Sequence, residues 1–218
     1  MINDNITAIK NANLAEDIDA KFTLTSNVKQ AIAKTNREAF VPTGFKHNAY
    51  KLDALPMGSS QWISSPLTVA KMTEYLQCDK CDRVLEIGCG SGYQAAVLSH
   101  LFRGVFTIER IDSLMREAKE RFRNLRLNNV HTRTDDGQRG WAQYAPYDRI
   151  IFSASAKEIP TKIFDQLAEG GVLVAPIEGK EKNKSEQVIT RFKKIEGKII
   201  SEVLESCVFV PVLDGVQR

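Results

Sequence analysis

The chain has 218 residues, 43% of them apolar and 26% charged, with 13 glycines and 7 prolines. That length buries a core without disulfide staples, and the composition excludes collagen-like, low-complexity and wholly disordered chains. Thirty Lys and Arg against 27 Asp and Glu leave a net charge of +3, too slight and too interspersed to predict a nucleic-acid partner.

In chain order, residues 1–45 predict helices without chemistry. Ile6 and Ile9 sit three apart, and Ser26 is placed to cap a helix whose Val28, Ala31 and Ile32 share a face. Residues 50–66 hold two prolines, Gly58, a serine pair and an isolated Trp62, which predicts an ordered loop. Pro66 then suits the first turn of a helix through Val69, Met72, Thr73 and Leu76. From Arg83 short apolar runs alternate with helical patterns, predicting strands at 83–87, 104–109, 130–134, 148–153 and 171–176 and helices at 93–101 and 113–124. Strands at 187–193 and 198–205 flank a Glu196-Gly197 turn, and a last run covers 207–212.

The fold class is therefore α/β: a doubly wound, mostly parallel, Rossmann-like sheet with an N-terminal helical extension and C-terminal antiparallel strands. One compact unit is expected, with residues 1–76 as the extension and acceptor loop and 77–218 as the nucleoside-binding part. Ligands in such sheets sit beyond the carboxyl ends of the strands, where the N-terminal segment is expected to pack. No run of about 18 apolar residues predicts a membrane span. The opening residues are rich in Asn, Asp and Lys rather than apolar, and four cysteines predict reduced thiols, so a cytoplasmic chain is expected; a monomer is expected as well.

The chemistry begins where the first strand ends. Glu86-Ile87-Gly88-Cys89-Gly90-Ser91-Gly92-Tyr93 is a buried run followed by glycines at alternate positions and a helix start. Such a turn lets a ligand approach the backbone without a Cβ in the way. Glu109, 21 residues past Gly88, ends the next strand and suits a bidentate bond to ribose hydroxyls. Charge selects the nucleoside. A dinucleotide pyrophosphate prefers a helix N-terminus free of carboxylates, whereas Glu86 precedes the turn and suits a cation. S-adenosylmethionine (SAM) carries a sulfonium and an ammonium and is the expected cofactor, with S-adenosylhomocysteine as product; Glu86 as a cap for backbone amides is the alternative. Asp135-Asp136-Gly137 could present a carboxylate to an adenine amino group, or form a plain Asx turn.

Residues 83–176 resemble a class I SAM methyltransferase, and more of the chain fits one family of that fold. Residues 37–42 (REAFVP), Ala49-Tyr50, 54–56 (ALP), 61–66 (QWISSP), Val69-Ala70, 72–74 (MTE), 86–97 (EIGCGSGYQAAV), Glu109-Arg110, Gly140-Trp141 and 208–211 (VFVP) are similar to protein-L-isoaspartate O-methyltransferases. The resemblance implies methyl transfer from SAM to the α-carboxylate of isoaspartyl residues in damaged proteins, after which the ester collapses to a succinimide and can reopen as aspartate. It implies Ser64 as the catalytic, orienting hydroxyl, also beside the cofactor. Glu86, Gly88, Cys89, Gly90, Ser91, Gly92, Glu109, Arg110, Asp135, Asp136 and Gly137 follow as cofactor residues. Ile63, Val210 and Pro211 follow as a backbone-rich groove for an extended peptide. Two alternatives stay open: Ser64 as a helix cap, and Val210-Pro211 as the end of an edge strand.

Three departures are expected to border the acceptor side or the SAM lip. The family usually has Thr at Trp62, Gln at Ser65 and a Thr-Ala-Ala-like tripeptide at Ser153-Ala154-Ser155. A methyltransferase with a changed acceptor, or a SAM- or protein-binding module without activity, are the alternative functions. Cys78 and Cys81 form a CxxC without a second ligand pair, and His47, His100 and His131 supply none, so no metal site is predicted. Residues 180–184 (KEKNK) predict an exposed hairpin loop, while Phe122 and Trp141 read as core.

Overall fold

The computed structural model describes residues 2–179 and 186–218, so the 180–184 charge run lies outside the described residues. Helices α1 (Ile2–Asp19) and α2 (Ser26–Lys34) open the chain. Val28, Ala31 and Ile32 are buried together as expected, but α1 uses a different face from the one Ile6 and Ile9 suggested. Those two are exposed, whereas Asn11, Leu14, Ala15 and Ile18 are buried. Their i, i+3, i+4, i+7 spacing makes the stripe that a packed helix needs, and Ile6 and Ile9 point away from it. Thr25, not Ser26, precedes α2, and its hydroxyl donates to Glu74 at 3.1 Å.

Two short 3-10 turns, Arg37–Phe40 and Thr43–Asn48, carry the chain toward the sheet's ligand edge. There β1 (Leu55–Pro56) pairs antiparallel with β2 (Trp62–Ile63), and α3 (Pro66–Tyr75) follows. Pro66 occupies the first turn, where its missing N–H costs nothing, and the Ser65 hydroxyl accepts the Thr68 N–H at 3.0 Å.

The sheet begins with β3 (Arg83–Ile87), after which α4 (Tyr93–Leu98), β4 (Gly104–Glu109), α5 (Asp112–Asn124) and β5 (Val130–Thr134) complete one half. The other half is β6 (Tyr147–Phe152), α6 (Thr161–Asp165), β7 (Leu167–Glu178), β8 (Gln187–Ile195) and β9 (Lys198–Cys207). Spatial order is β5-β4-β3-β6-β7-β8-β9, with β3 to β7 parallel and β7-β8-β9 antiparallel. Alternate residues feed opposite layers. Val84, Val105, Ile151 and Val172 pack under α1 to α5, while Leu85, Phe106, Ile150 and Leu173 pack against Trp141, Tyr147 and Ile163. Burial on both faces explains why these strands read as continuous apolar runs. The first cluster runs through Met72 and Leu76 to Val97 and Leu98, so packing crosses position 76.

Glu196 and Gly197 both have positive φ, 51° and 72°, the two-residue turn that matches strand twist between β8 and β9. The expected final run at 207–212 is corrected: β9 stops at Cys207, and the chain turns back over the sheet's end. Ser155 holds it there, donating its N–H to Val210 O at 2.8 Å and accepting from Val212 N at 2.7 Å.

Gly92 shows how the turn is locked. Its φ is 92°, and a Cβ there would lie 2.7 Å from Phe122 Cζ. Gly92→Ala combines a left-handed backbone with overpacking and is expected to cost about 2–4 kcal/mol. Urea denaturation checks it; a loss under about 1 kcal/mol would show that α5 yields freely.

Candidate functional site

β3 and β6 are neighbours, yet β3 leads into α4 on one face and β6 into α6 on the other. Chain connections part there, opening a cleft beyond the strand ends. It holds about 990 Å³ of empty space, part of it open solvent. Its wall gathers three distant segments: the Ser64 loop, the glycine turn with the end of β4, and the 209–213 return.

Gly88, Cys89, Gly90 and Ser91 line the floor. The turn is pinned to β4, with Gly88 N and Cys89 N both donating to Ile108 O at 2.9 and 3.1 Å. Beneath it, Glu86 is wholly buried at the cleft wall, on the same strand face as Thr107 and Ser153. Its Oε2 accepts from the Thr107 hydroxyl at 2.6 Å and its Oε1 from the Ser153 hydroxyl at 3.0 Å. Among the described residues it caps no backbone amide, so that alternative for Glu86 drops out. Burial raises its pKa to about 8, with the two hydroxyls pulling it down and Glu109 adding to the rise. A buried carboxyl with hydrogen bonds but no counter-charge is a seat for a cation. The same burial pushes the Cys89 thiol well up, which makes it a neutral lining group rather than a nucleophile.

Glu109 ends β4 with both oxygens partly used: Oε2 accepts the Gly90 N–H at 2.8 Å and Oε1 the Ile111 N–H at 2.9 Å. Each oxygen keeps a second lone pair, so the carboxylate is aimed and still able to take two hydroxyls. Glu109→Ala removes both acceptors and frees the turn; it is expected to weaken adenosine-ligand binding about 50-fold by calorimetry, mainly through affinity rather than turnover. Arg110 also lines the cleft, but its guanidinium bonds the chain end, reaching Gly215 O, Gln217 Oε1 and Asp214 O at 3.1, 3.2 and 3.3 Å.

Gly92, Asp135 and Asp136 do not line the cleft. Gly92 faces Phe122, as described above. Asp135 pairs with Arg133 and accepts the Asp136 N–H at 2.8 Å. Asp136 Oδ1 accepts the Gln138 N–H at 3.0 Å and Oδ2 the Gly215 N–H at 3.2 Å. An Asx turn plus a tether for the chain end is therefore what these two carboxylates form, and only Gly137 of that trio reaches the wall.

On the acceptor side Ile63, Ser64, Val210 and Pro211 come together, although Val210 lies 146 positions past Ser64 in the sequence. Because Ser65 takes the helix-capping duty, the Ser64 hydroxyl has no partner among the described residues, while its carbonyl accepts from Arg37 at 3.0 Å. The capping alternative for Ser64 is thereby removed. Trp62 sits at the lip, 55% exposed. Sequence reasoning missed Met72, Gln94, Phe209 and Leu213, which also line the wall. Met72 and Gln94 belong to helices whose periodicity reads as core, and nothing in a linear pattern says that a core face ends at a cleft.

The model of the family described as Protein-L-isoaspartate(D-aspartate) O-methyltransferase matches residues 8–217. The chain belongs to this family. Protein-L-isoaspartate O-methyltransferase of Helicobacter pylori (strain G27) is 57% identical over 213 residues, covering 97% of this chain and 100% of that protein. The enzyme of the same name from Cronobacter sakazakii is 42% identical, covering 99% of each. A solved protein-L-isoaspartate O-methyltransferase superposes with a TM-score of 0.83 at 27% identity over 94% of this chain and 66% of that one. A Plasmodium falciparum structure described as the same enzyme in complex with S-adenosyl-L-homocysteine gives a TM-score of 0.81 at 22% identity, covering 93% of this chain and 98% of that one, and shows the shared fold. In this member of the protein-L-isoaspartate O-methyltransferase family the cleft thus has two sides, an acidic, glycine-floored one and a more apolar one that carries the unengaged Ser64 hydroxyl.

Proposed function

We propose that this member of the protein-L-isoaspartate O-methyltransferase family transfers a methyl group from SAM to the α-carboxylate of L-isoaspartyl residues in damaged proteins, which initiates their repair. The observation that carries the reading is the pairing, across one cleft, of an uncompensated buried carboxyl at Glu86 with the unengaged hydroxyl of Ser64. The acid suits a sulfonium and ammonium donor, and the hydroxyl suits a carboxylate acceptor.

SAM, when bound, supplies an electrophilic methyl carbon on a sulfonium sulfur. Glu109 would hold its ribose hydroxyls, and the glycine turn would give close approach to backbone. Glu86, ionised by the cation beside it, would supply negative charge beneath the turn. An acceptor carboxylate with a pKa of about 4 is ionised near pH 7, so no residue has to remove a proton. Ser64 donates to one carboxylate oxygen and leaves the other to attack, while Ile63 and Val210 shed water from the reacting line. Residues 1–76 supply the acceptor loop, and 77–218 the donor site together with the returning strand end. Of the residues first expected at the donor site, Gly92, Asp135 and Asp136 lie outside the cleft lining and are held by the contacts described above.

One chain furnishes both sides of the cleft, which supports a monomer as the working unit. All four cysteines are unpaired, in keeping with a reducing cytoplasm, and among the described residues no helix is long and apolar enough to cross a membrane. The test is labelled methyl transfer to an isoaspartyl peptide beside its aspartyl twin. Transfer to the first alone is expected. Transfer to both, or to neither with SAM still bound, would replace the reading with a changed acceptor or an inactive binding module.

A further inference from the structure

Arg37 is the largest fully buried side chain among the described residues and carries a charge. Nε donates to Ala49 O at 2.8 Å and Nη2 to Ser64 O at 3.0 Å, while Nη1 is buried without a partner among the described residues. The guanidinium lies 4.5 Å from the centroid of the Tyr93 ring, and Tyr93 lines the cleft. A buried arginine is ordinarily paired with a carboxylate, because an isolated charge in a low dielectric is costly. Here the groups acting on it are Tyr93 and its own desolvation. It remains cationic, since guanidinium does not deprotonate in proteins. Both of its cleft-side contacts, Ser64 and Tyr93, belong to the wall.

We infer that Arg37 is a positioning residue for the acceptor: its fork fixes the Ser64 backbone, and its uncompensated charge, one layer behind the wall, favours an anionic group in the cleft over a neutral one. The inference rests on the proposed function, and it names what that function leaves open, namely how a site that offers hydroxyl donors prefers a carboxylate to a carboxamide of the same shape. Ser64 alone does not separate them strongly, since a hydroxyl donates to either oxygen. Charge does separate them, and at the reach of one residue through a poorly solvated wall it is worth roughly tenfold or more in relative affinity. The two buried carboxyls, Glu86 and Glu109, sit on the donor side of the same cleft, where they would repel an acceptor carboxylate; Arg37 offsets that repulsion from behind.

The experiment uses the full chain saturated with S-adenosylhomocysteine and two peptides differing in one group, isoaspartyl and its α-carboxamide. Binding of each peptide, S-adenosylhomocysteine affinity, and KM and kcat for the isoaspartyl peptide are measured in the parent, Arg37→Gln and Arg37→Lys. Arg37→Gln is expected to cut the carboxylate-over-carboxamide preference about tenfold, with carboxamide and S-adenosylhomocysteine binding within twofold of the parent. Arg37→Lys keeps the charge but not the fork, so it should retain the preference within threefold while kcat falls about tenfold. An unchanged preference in Arg37→Gln overturns the inference, as does an equal loss for both peptides, which is what a merely structural arginine would give. Should Arg37→Gln not fold, loss of the preference in Arg37→Lys overturns it instead. If the parent itself methylates no isoaspartyl peptide, the proposed function has failed and not Arg37.

Discussion

Replacing Glu86 by glutamine is expected to weaken SAM binding about 100-fold at pH 8 while making the ligand-free protein more stable there. Both effects come from one buried proton. The folded-state pKa of Glu86 is raised from 4.5 to about 8 by burial, so between those values the native chain holds a proton that the unfolded chain has released. Stability therefore falls as pH rises through that window, and it is fully present only below the unfolded value. Glutamine has no proton to lose, keeps hydrogen-bonding capacity toward Thr107 and Ser153, and should flatten the decline. Binding works in the opposite sense. A cation beside Glu86 favours its ionised form, so SAM binding should release a proton and tighten as pH rises from about 5.5 toward 8, by up to about tenfold per unit. Calorimetry in two buffers of different ionisation enthalpy reads the proton directly, and a melting series at pH 5 and 8 reads the stability. If Glu86→Gln binds SAM as tightly as the parent, or if no proton leaves on binding, Glu86 is not the seat of the cation.

That double effect was half legible in the letters. An acid immediately before a glycine turn announces a cation, but nothing linear says that Thr107 and Ser153 would meet it from two neighbouring strands. The strands β3 and β4 coincide with their expected limits because apolar runs buried on both faces end abruptly at turn residues. Where a residue has two competing duties, sequence does not arbitrate. Ser64 and Ser65 are adjacent and identical in type, and only the entry angle of α3 gives the cap to Ser65. Asp136 has a further duty that no linear pattern shows, since Gly215, 79 residues on, donates to its Oδ2. Arg37 lies in a polar stretch that reads as exposed, yet the turn made by residues 37–49 and the Ser64 loop enclose it. Each of these depends on contacts between distant segments, which local propensity does not encode.

Ser64→Ala should isolate the acceptor half of the site. The substitution removes one oxygen from a side chain that caps no helix and has no partner among the described residues, so folding and S-adenosylhomocysteine binding are expected to stay within about twofold. Turnover is another matter. With no general base to lose, the hydroxyl contributes through alignment: it fixes one carboxylate oxygen so that the other faces the methyl carbon, and misplacement by about 1 Å is worth roughly 100-fold. The loss should fall on kcat as well as on KM, because the geometry matters most when the carbon–oxygen bond is forming. Ser64→Thr, which keeps a hydroxyl but adds a methyl against buried Ile63, should recover part of the rate and separate the donor from its exact placement. A Ser64→Ala protein that turns over isoaspartyl peptide at the parent rate would remove this hydroxyl from the reaction. The alignment would then fall to the backbone of Ile63 and Val210, the other acceptor-side groups the cleft brings together.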